Sequence, residues 1–188
     1  MAAAPSRPPK ILCLTGFMGC GKTTLGRRVA RQLGWRFVDL DTRIEERTGL
    51  AISIIFQRRG EPAFRNIEHE LLQVALAEAT ALSQSTILAL GGGTFAQPRN
   101  IELLRSSDAV IVFLETPIEE LLARCVTKTH RPLFRDEASF RKLYAERLPF
   151  YEQADVCVSN TGDLQQVVAT ICSFCVPGTP SAHKGVNA

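Results

Sequence analysis

The apolar run Ile11-Leu12-Cys13-Leu14 leads into Gly16-Phe17-Met18-Gly19-Cys20-Gly21-Lys22-Thr23, and a helical pattern of Leu25, Val29, Ala30 and Leu33 follows at once. The loop fits G-x-x-x-x-G-K-[ST], and strand, glycine loop and helix stand in the order that a phosphate-binding loop requires. Glycines at 16, 19 and 21 allow backbone conformations closed to other residues and bring successive N–H groups against an anion. The new helix turns its unpaired amides and positive dipole end to the same place. Polyphosphate is the expected guest. Lys22 should reach its outer phosphates, and the Thr23 hydroxyl should help hold a Mg²⁺ that keeps most of its waters. A plain glycine turn with an incidental Lys-Thr would need motif and context to coincide by chance.

The rest of the chain continues the alternation. Trp35 to Leu40 reads as a second strand, delivering Asp39 and Asp41 to its carboxyl end, where parallel sheets bind ligands. The competing reading is that Asp41 only caps the next helix. Ile44 to Gly60 looks helical in two pieces broken at Thr48-Gly49, and Glu61-Pro62 opens a longer helix to about Leu82 with Phe64, Ile67, Leu71, Leu72, Ala75 and Leu76 on one stripe. Arg65 and Glu68 sit off the centre of that stripe and read as a surface ion pair worth little. Thr86 to Leu90 is a strand ending in Gly91-Gly92-Gly93, a run better explained by close approach of backbone to a ligand than by a turn. No aspartate ends that strand, which leaves Asp39 as the carboxylate partner for the metal.

A short helix over 98–105, a strand over 109–114 and a helix from Pro117 to about Val126 come next. Residues 127–136 are polar and basic without a period, which fits either a mobile lid carrying cations to the phosphates or a solvated linker. A helix from Glu137 to about Gln153 carries Arg147, 155–158 is a last strand, and Asp163 caps a final helix through about Ser173. Five strands alternating with helices predict an α/β fold, a parallel sheet covered on both faces.

Length and composition bound the possibilities. The 188 residues suit one domain, over 10–176, with loose tails at 1–9 and 177–188. With 22 Lys+Arg against 19 Asp+Glu, the formal charge is +3, and no long basic run supports nucleic-acid binding. No stretch approaches the ~20 apolar residues of a membrane span. The six cysteines show no disulfide framework, since 13, 20, 125 and 157 fall at core or loop positions, and a reducing cytoplasm is the simplest setting. Cys172-x-x-Cys175 reads as the end of a helix. Cys20 reads either as a small filler or as a thiol activated by Lys22 and the helix N-terminus.

Together, the 16–23 loop, Asp39-x-Asp41, Phe64-Arg65-x-x-Glu68, Gly91-Gly92-Gly93, Arg131-Pro-Leu and Arg147-x-x-x-Tyr151 resemble shikimate kinase in identity and in order, over about Ile11 to Asp155. The resemblance implies a P-loop kinase fold like that of nucleoside monophosphate kinases. Its five-stranded parallel sheet would have order 2-3-1-4-5, with substrate-binding helices at about 41–82 and a mobile lid at about 127–137. It also implies transfer of phosphate from ATP to the 3-hydroxyl of shikimate, in aromatic amino-acid biosynthesis. By similarity, Asp41 would accept the attacking proton, Arg65 and Arg147 would grip the substrate carboxylate, and Gly92 with Gly93 would present backbone to the ring. Gly19, Cys20, Gly21, Lys22, Thr23 and Thr24 would surround the phosphates of ATP, and Arg131 would reach them from the lid. Arg124 would stack on the adenine, and Thr23 and Asp39 would serve the Mg²⁺. Two departures stand out. Asn160-Thr-Gly-Asp163 replaces a basic residue near the adenine, and Thr94-Phe95 is bulkier than the family's small residues; neither is expected to touch the chemistry. The partners implied are shikimate and ATP, with a monomer favoured by single-domain length. The rival readings are another small-molecule kinase, such as one for gluconate, and a non-catalytic nucleotide-binding relative.

Overall fold

The computed structural model describes residues 8–126 and 136–175. Arg131, nearly all of the expected lid and both expected tails, apart from Pro8 and Pro9, lie outside the described residues. The helix expected from Glu137 is present, and Asp136, assigned to the lid from sequence, is its cap: the Asp136 side chain accepts from the Ser139 amide at 2.7 Å.

The elements in order are β1 (Ile11–Thr15), α1 (Lys22–Leu33), β2 (Arg36–Asp39), α2 (Leu40–Thr48), α3 (Ile52–Ala81), β3 (Thr86–Ala89), a 3-10 turn (Thr94–Ala96), α4 (Pro98–Ser106), β4 (Val110–Glu115), α5 (Ile118–Val126), α6 (Glu137–Tyr151), β5 (Val156–Ser159) and α7 (Leu164–Ser173). The strands form one five-stranded sheet, parallel throughout, in the order β2-β3-β1-β4-β5. All residues of β1 are buried. Because successive side chains point to opposite faces, that burial requires helices on both sides. Leu12 stands opposite Ile87 of β3 and Val110 of β4, which fixes the register at the centre of the core.

The first two helices end at glycines. Gly34 and Gly49 both adopt φ 67°, and their amides close α1 on Ala30 O and α2 on Glu45 O. Inside α3, Gly60 takes φ 77° and ψ 170°, so the helix is two segments meeting at a kink just before Glu61-Pro62. Cys13, Cys20, Cys125, Cys172 and Cys175 are buried, and no disulfide joins any of the six cysteines. Cys157 departs from its expected core position: β5 is an edge strand and turns that residue outward. Burial pushes the Cys175 thiol up to about 12, with Cys172 adding to it, so neither end of this pair is poised as a thiolate. Among the described residues no helix is long and apolar enough to cross a membrane.

Candidate active site

The phosphate loop leaves β1 with Gly16, Gly19 and Gly21 all at positive φ, the conformations that L side chains avoid. Lys22 folds back over the loop, donating to Gly16 O at 2.7 Å and Phe17 O at 3.1 Å, with Cys20 Sγ at 3.7 Å. The Cys20 side chain is fully buried, as a filler would be, with the Lys22 amine beside its sulfur, as the other reading expects. Asn160, at the end of β5, donates its amide to Cys20 O and, at 3.4 Å, to Thr116 Oγ1. The first departure from the family pattern therefore braces the loop from outside.

The two aspartates separate in role. Asp39 is the cap of α2, its Oδ1 accepting from the Thr42 amide at 3.3 Å, while its Oδ2 accepts from Thr23 Oγ1 at 2.6 Å. The capping role considered for Asp41 thus falls to Asp39. Asp41 sits in the first helical turn instead, facing the cleft. Desolvation raises its carboxyl from 3.8 to about 6; Lys22 opposes that rise, and Asp39, Glu68 and Glu45 add to it.

Arg65 and Glu68 correct the sequence reading most clearly. The pair is buried: Arg65 Nη1 donates to Glu68 Oε2 at 2.8 Å, and the Glu68 side chain is 0% exposed. The 3-10 turn supplies a further partner, Thr94 Oγ1 donating to Glu68 Oε1 at 2.7 Å, so this second departure does touch the site. Glu61 accepts from Arg65 Nε and Nη2 at 3.1 and 2.9 Å. Burial would lower the Arg65 guanidinium, but Glu68 and Glu61 outweigh it and hold the group above its ordinary value.

The triple glycine is crowded by the protein's own side chains. A Cβ at Gly91 would lie 2.6 Å from Asp41 Oδ1, and one at Gly93 would lie 2.6 Å from Arg65 Nη2. None of the three glycines has positive φ. The smallness of Gly91 and Gly93 thus serves close packing of the site's own polar groups, while Gly92 has only ordinary contacts, Met18 N at 3.4 Å being the nearest. Arg147, from α6, donates to Gly92 O at 3.1 Å, and the buried Tyr151 hydroxyl donates to the same oxygen.

A cleft of about 500 Å³ collects Thr23, Asp39, Asp41, Arg65, Glu68, Gly91 to Gly93 and Arg147, with Met18, Ile52, Phe56 and Phe64 as apolar wall. Arg124 lies elsewhere, on α5, paired with Glu120 at 2.7 Å. Glu61, Glu68 and Thr94 were not singled out as site residues by the sequence: the roles of Glu68 and Thr94 depend on the 3-10 turn packing over α3, whereas Glu61 is legible only as the i,i+4 neighbour of Arg65 on one helix.

The shikimate kinase family model matches residues 18–176. The shikimate kinase of Chlorobium chlorochromatii is 38% identical over 176 residues, covering 88% of this chain and 88% of that protein. That of Halorhodospira halophila is 39% identical, covering 93% and 98%. The solved structure of shikimate kinase from Acinetobacter baumannii in complex with shikimate superposes with a TM-score of 0.78 at 34% identity, over 90% of this chain and 93% of that one. A parallel sheet of order 2-3-1-4-5, a glycine loop ending in Lys-Thr and relatives matched over nearly their whole length agree, and the chain belongs to the shikimate kinase family.

Proposed function

We propose that this chain transfers the γ-phosphoryl group of ATP to the 3-hydroxyl of shikimate. The observation that carries the reading is the pair of guanidinium groups flanking Gly92-Gly93 in one cleft with Asp41 and Thr23. A small hydroxylated acid needs this combination. Arg65, exchanging the half-exposed Glu61 on its Nε and Nη2 for the substrate, and Arg147 give its carboxylate a forked cationic seat, which lysine could not supply, while Asp41 accepts from its ring hydroxyls. The loop amides and Lys22 take the phosphates, and Lys22 exchanges its bonds to Gly16 O and Phe17 O for the nucleotide. Arg131 of the expected lid adds a cation to the transferring group, and Arg124 covers the adenine once its pairing with Glu120 is loosened.

Phosphoryl transfer has a loose transition state, so positioning and charge stabilisation are the protein's main tasks. Asp41 holds the attacking hydroxyl and takes its proton as the new bond forms. The residues fit a Mg²⁺: Thr23 Oγ1 and Asp39 Oδ2, 2.6 Å apart, offer the hard oxygens such an ion prefers. When bound, the ion would neutralise charge on the β- and γ-phosphates. The apolar wall of Ile52, Phe56 and Phe64 keeps water from competing with the substrate hydroxyl. A cytoplasmic monomer is the corresponding form.

An ADP-release assay with shikimate beside gluconate and other polyols tests the substrate. Shikimate-dependent ADP is expected; equal turnover of gluconate would overturn the assignment. Asp41→Asn should lower kcat by roughly 10²- to 10⁴-fold with ADP binding intact, the range expected for loss of a general base.

A further inference from the structure

We infer that Thr94 is a positioning residue for the substrate clamp: anchored by α4, its hydroxyl fixes Glu68, and Glu68 fixes Arg65. Asn100, in the first turn of α4, is completely buried and donates Nδ2 to Thr94 O at 3.0 Å. Its Oδ1 lies 2.6 Å from His69 Nδ1, and since an amide oxygen can only accept, that nitrogen carries the proton. Arg99, beside it, donates to Arg65 O at 2.7 Å. The start of α4, which holds the turn bearing Thr94, is thus tied to α3 on both sides of Glu68.

Thr94 has a specific task there. A Cβ on Gly91 would meet Asp41 Oδ1 at 2.6 Å, Thr94 Oγ1 at 2.9 Å and Glu68 Oε1 at 3.2 Å, so three oxygens converge on one point. With both acids ionised, only the hydroxyl among them carries a proton, and it donates that proton to Glu68. Without it, Glu68 Oε1 would be buried beside another carboxylate with no donor, and its other oxygen would lose the orientation that holds Arg65 Nη1.

The inference rests on Arg65 being the seat of the shikimate carboxylate, so the test separates the two. Steady-state kinetics on the full chain would compare Thr94→Val, Thr94→Ser, Arg65→Lys and the Thr94→Val/Arg65→Lys double variant. Loss of a buried hydrogen bond to a charged group predicts a rise in KM for shikimate of about tenfold in Thr94→Val, with kcat and KM for ATP within about twofold. Thr94→Ser keeps the hydroxyl and should match the wild type. The double variant should be no weaker than Arg65→Lys alone, because both changes disable one arm. An unchanged shikimate KM in Thr94→Val beside a raised one in Arg65→Lys overturns the inference alone. Equal losses for ATP and shikimate, or full additivity in the double variant, also overturn it. A normal shikimate KM in Arg65→Lys overturns the clamp reading and the inference with it. Should Thr94→Val not fold, Thr94→Ala against Thr94→Ser gives the same comparison.

Discussion

Glu68 is held in a fully buried position by charge-assisted bonds from Arg65 and a hydroxyl from Thr94. Removing the cation alone leaves a carboxylate with no counter-charge inside the protein, the arrangement that costs most. Arg65→Ala is therefore expected to destabilise the fold by about 3 to 5 kcal/mol, and adding Glu68→Gln should recover part of the loss. Urea unfolding of the wild type and the two variants checks this; a double variant less stable than Arg65→Ala would contradict it. Asp41 gives a pH signature in metal-free buffer. Its folded value of about 6 lies above the ordinary 3.8, so the native state holds the proton more tightly than the unfolded chain. The stability it contributes is present in full below about 4 and is lost as pH rises through about 6, up to about 3 kcal/mol in all. Asp41→Asn lacks this term, so its stability relative to wild type should grow between pH 4 and 7, and a gap independent of pH would refute the shift.

Among the elements, strands and glycine-ended helices could be read from the sequence because short-range forces set them. The consecutive apolar run 11–14 is buried on both faces, and Gly34 and Gly49 stop helices through their left-handed conformation. What the sequence did not disclose depends on packing between distant segments. Arg65 and Glu68 look like a surface pair on their own helix and are covered only when the 3-10 turn and α4 dock on it. Asp39 and Asp41 could not be told apart by spacing, since the difference lies in where the first turn of α2 begins. Cys157 shares the exposed face of edge strand β5 with Ser159, while Val158 between them is buried. The kink of α3 offers an element-scale prediction. Gly60 adopts a φ/ψ pair nearly restricted to glycine, while the nearest atom to an added Cβ is Pro62 Cδ at 3.7 Å. Gly60→Ala should therefore cost about 1 to 3 kcal/mol through backbone strain and not through a clash. Thermal unfolding would measure it; a neutral change would mean the kink does not need glycine.

At the scale of the whole molecule, the sheet order places β1 in the middle, with β3 and β2 on one side and β4 and β5 on the other. Loops after neighbouring strands diverge there, so the carboxyl ends of β1, β2 and β3 open into one cleft. Nucleotide binding should stabilise the entire domain through this central loop. ADP at about 100 times its Kd corresponds to about 2.7 kcal/mol, or a rise in Tm of about 5 to 10 °C for a domain of this size. Lys22→Ala should remove most of that rise, as differential scanning fluorimetry would show, and an undiminished shift would exclude the lysine from phosphate binding.

Asp39 couples two tasks through one carboxylate. One oxygen starts α2 and the other meets the threonine that ends the glycine loop. Its replacement is a compound injury: Asp39→Ala would fray the helix bearing Asp41 while removing an oxygen proposed to serve Mg²⁺. Added magnesium could mend neither, whereas Asp39→Asn, still able to accept from Thr42, would spare the first function and expose the second by itself.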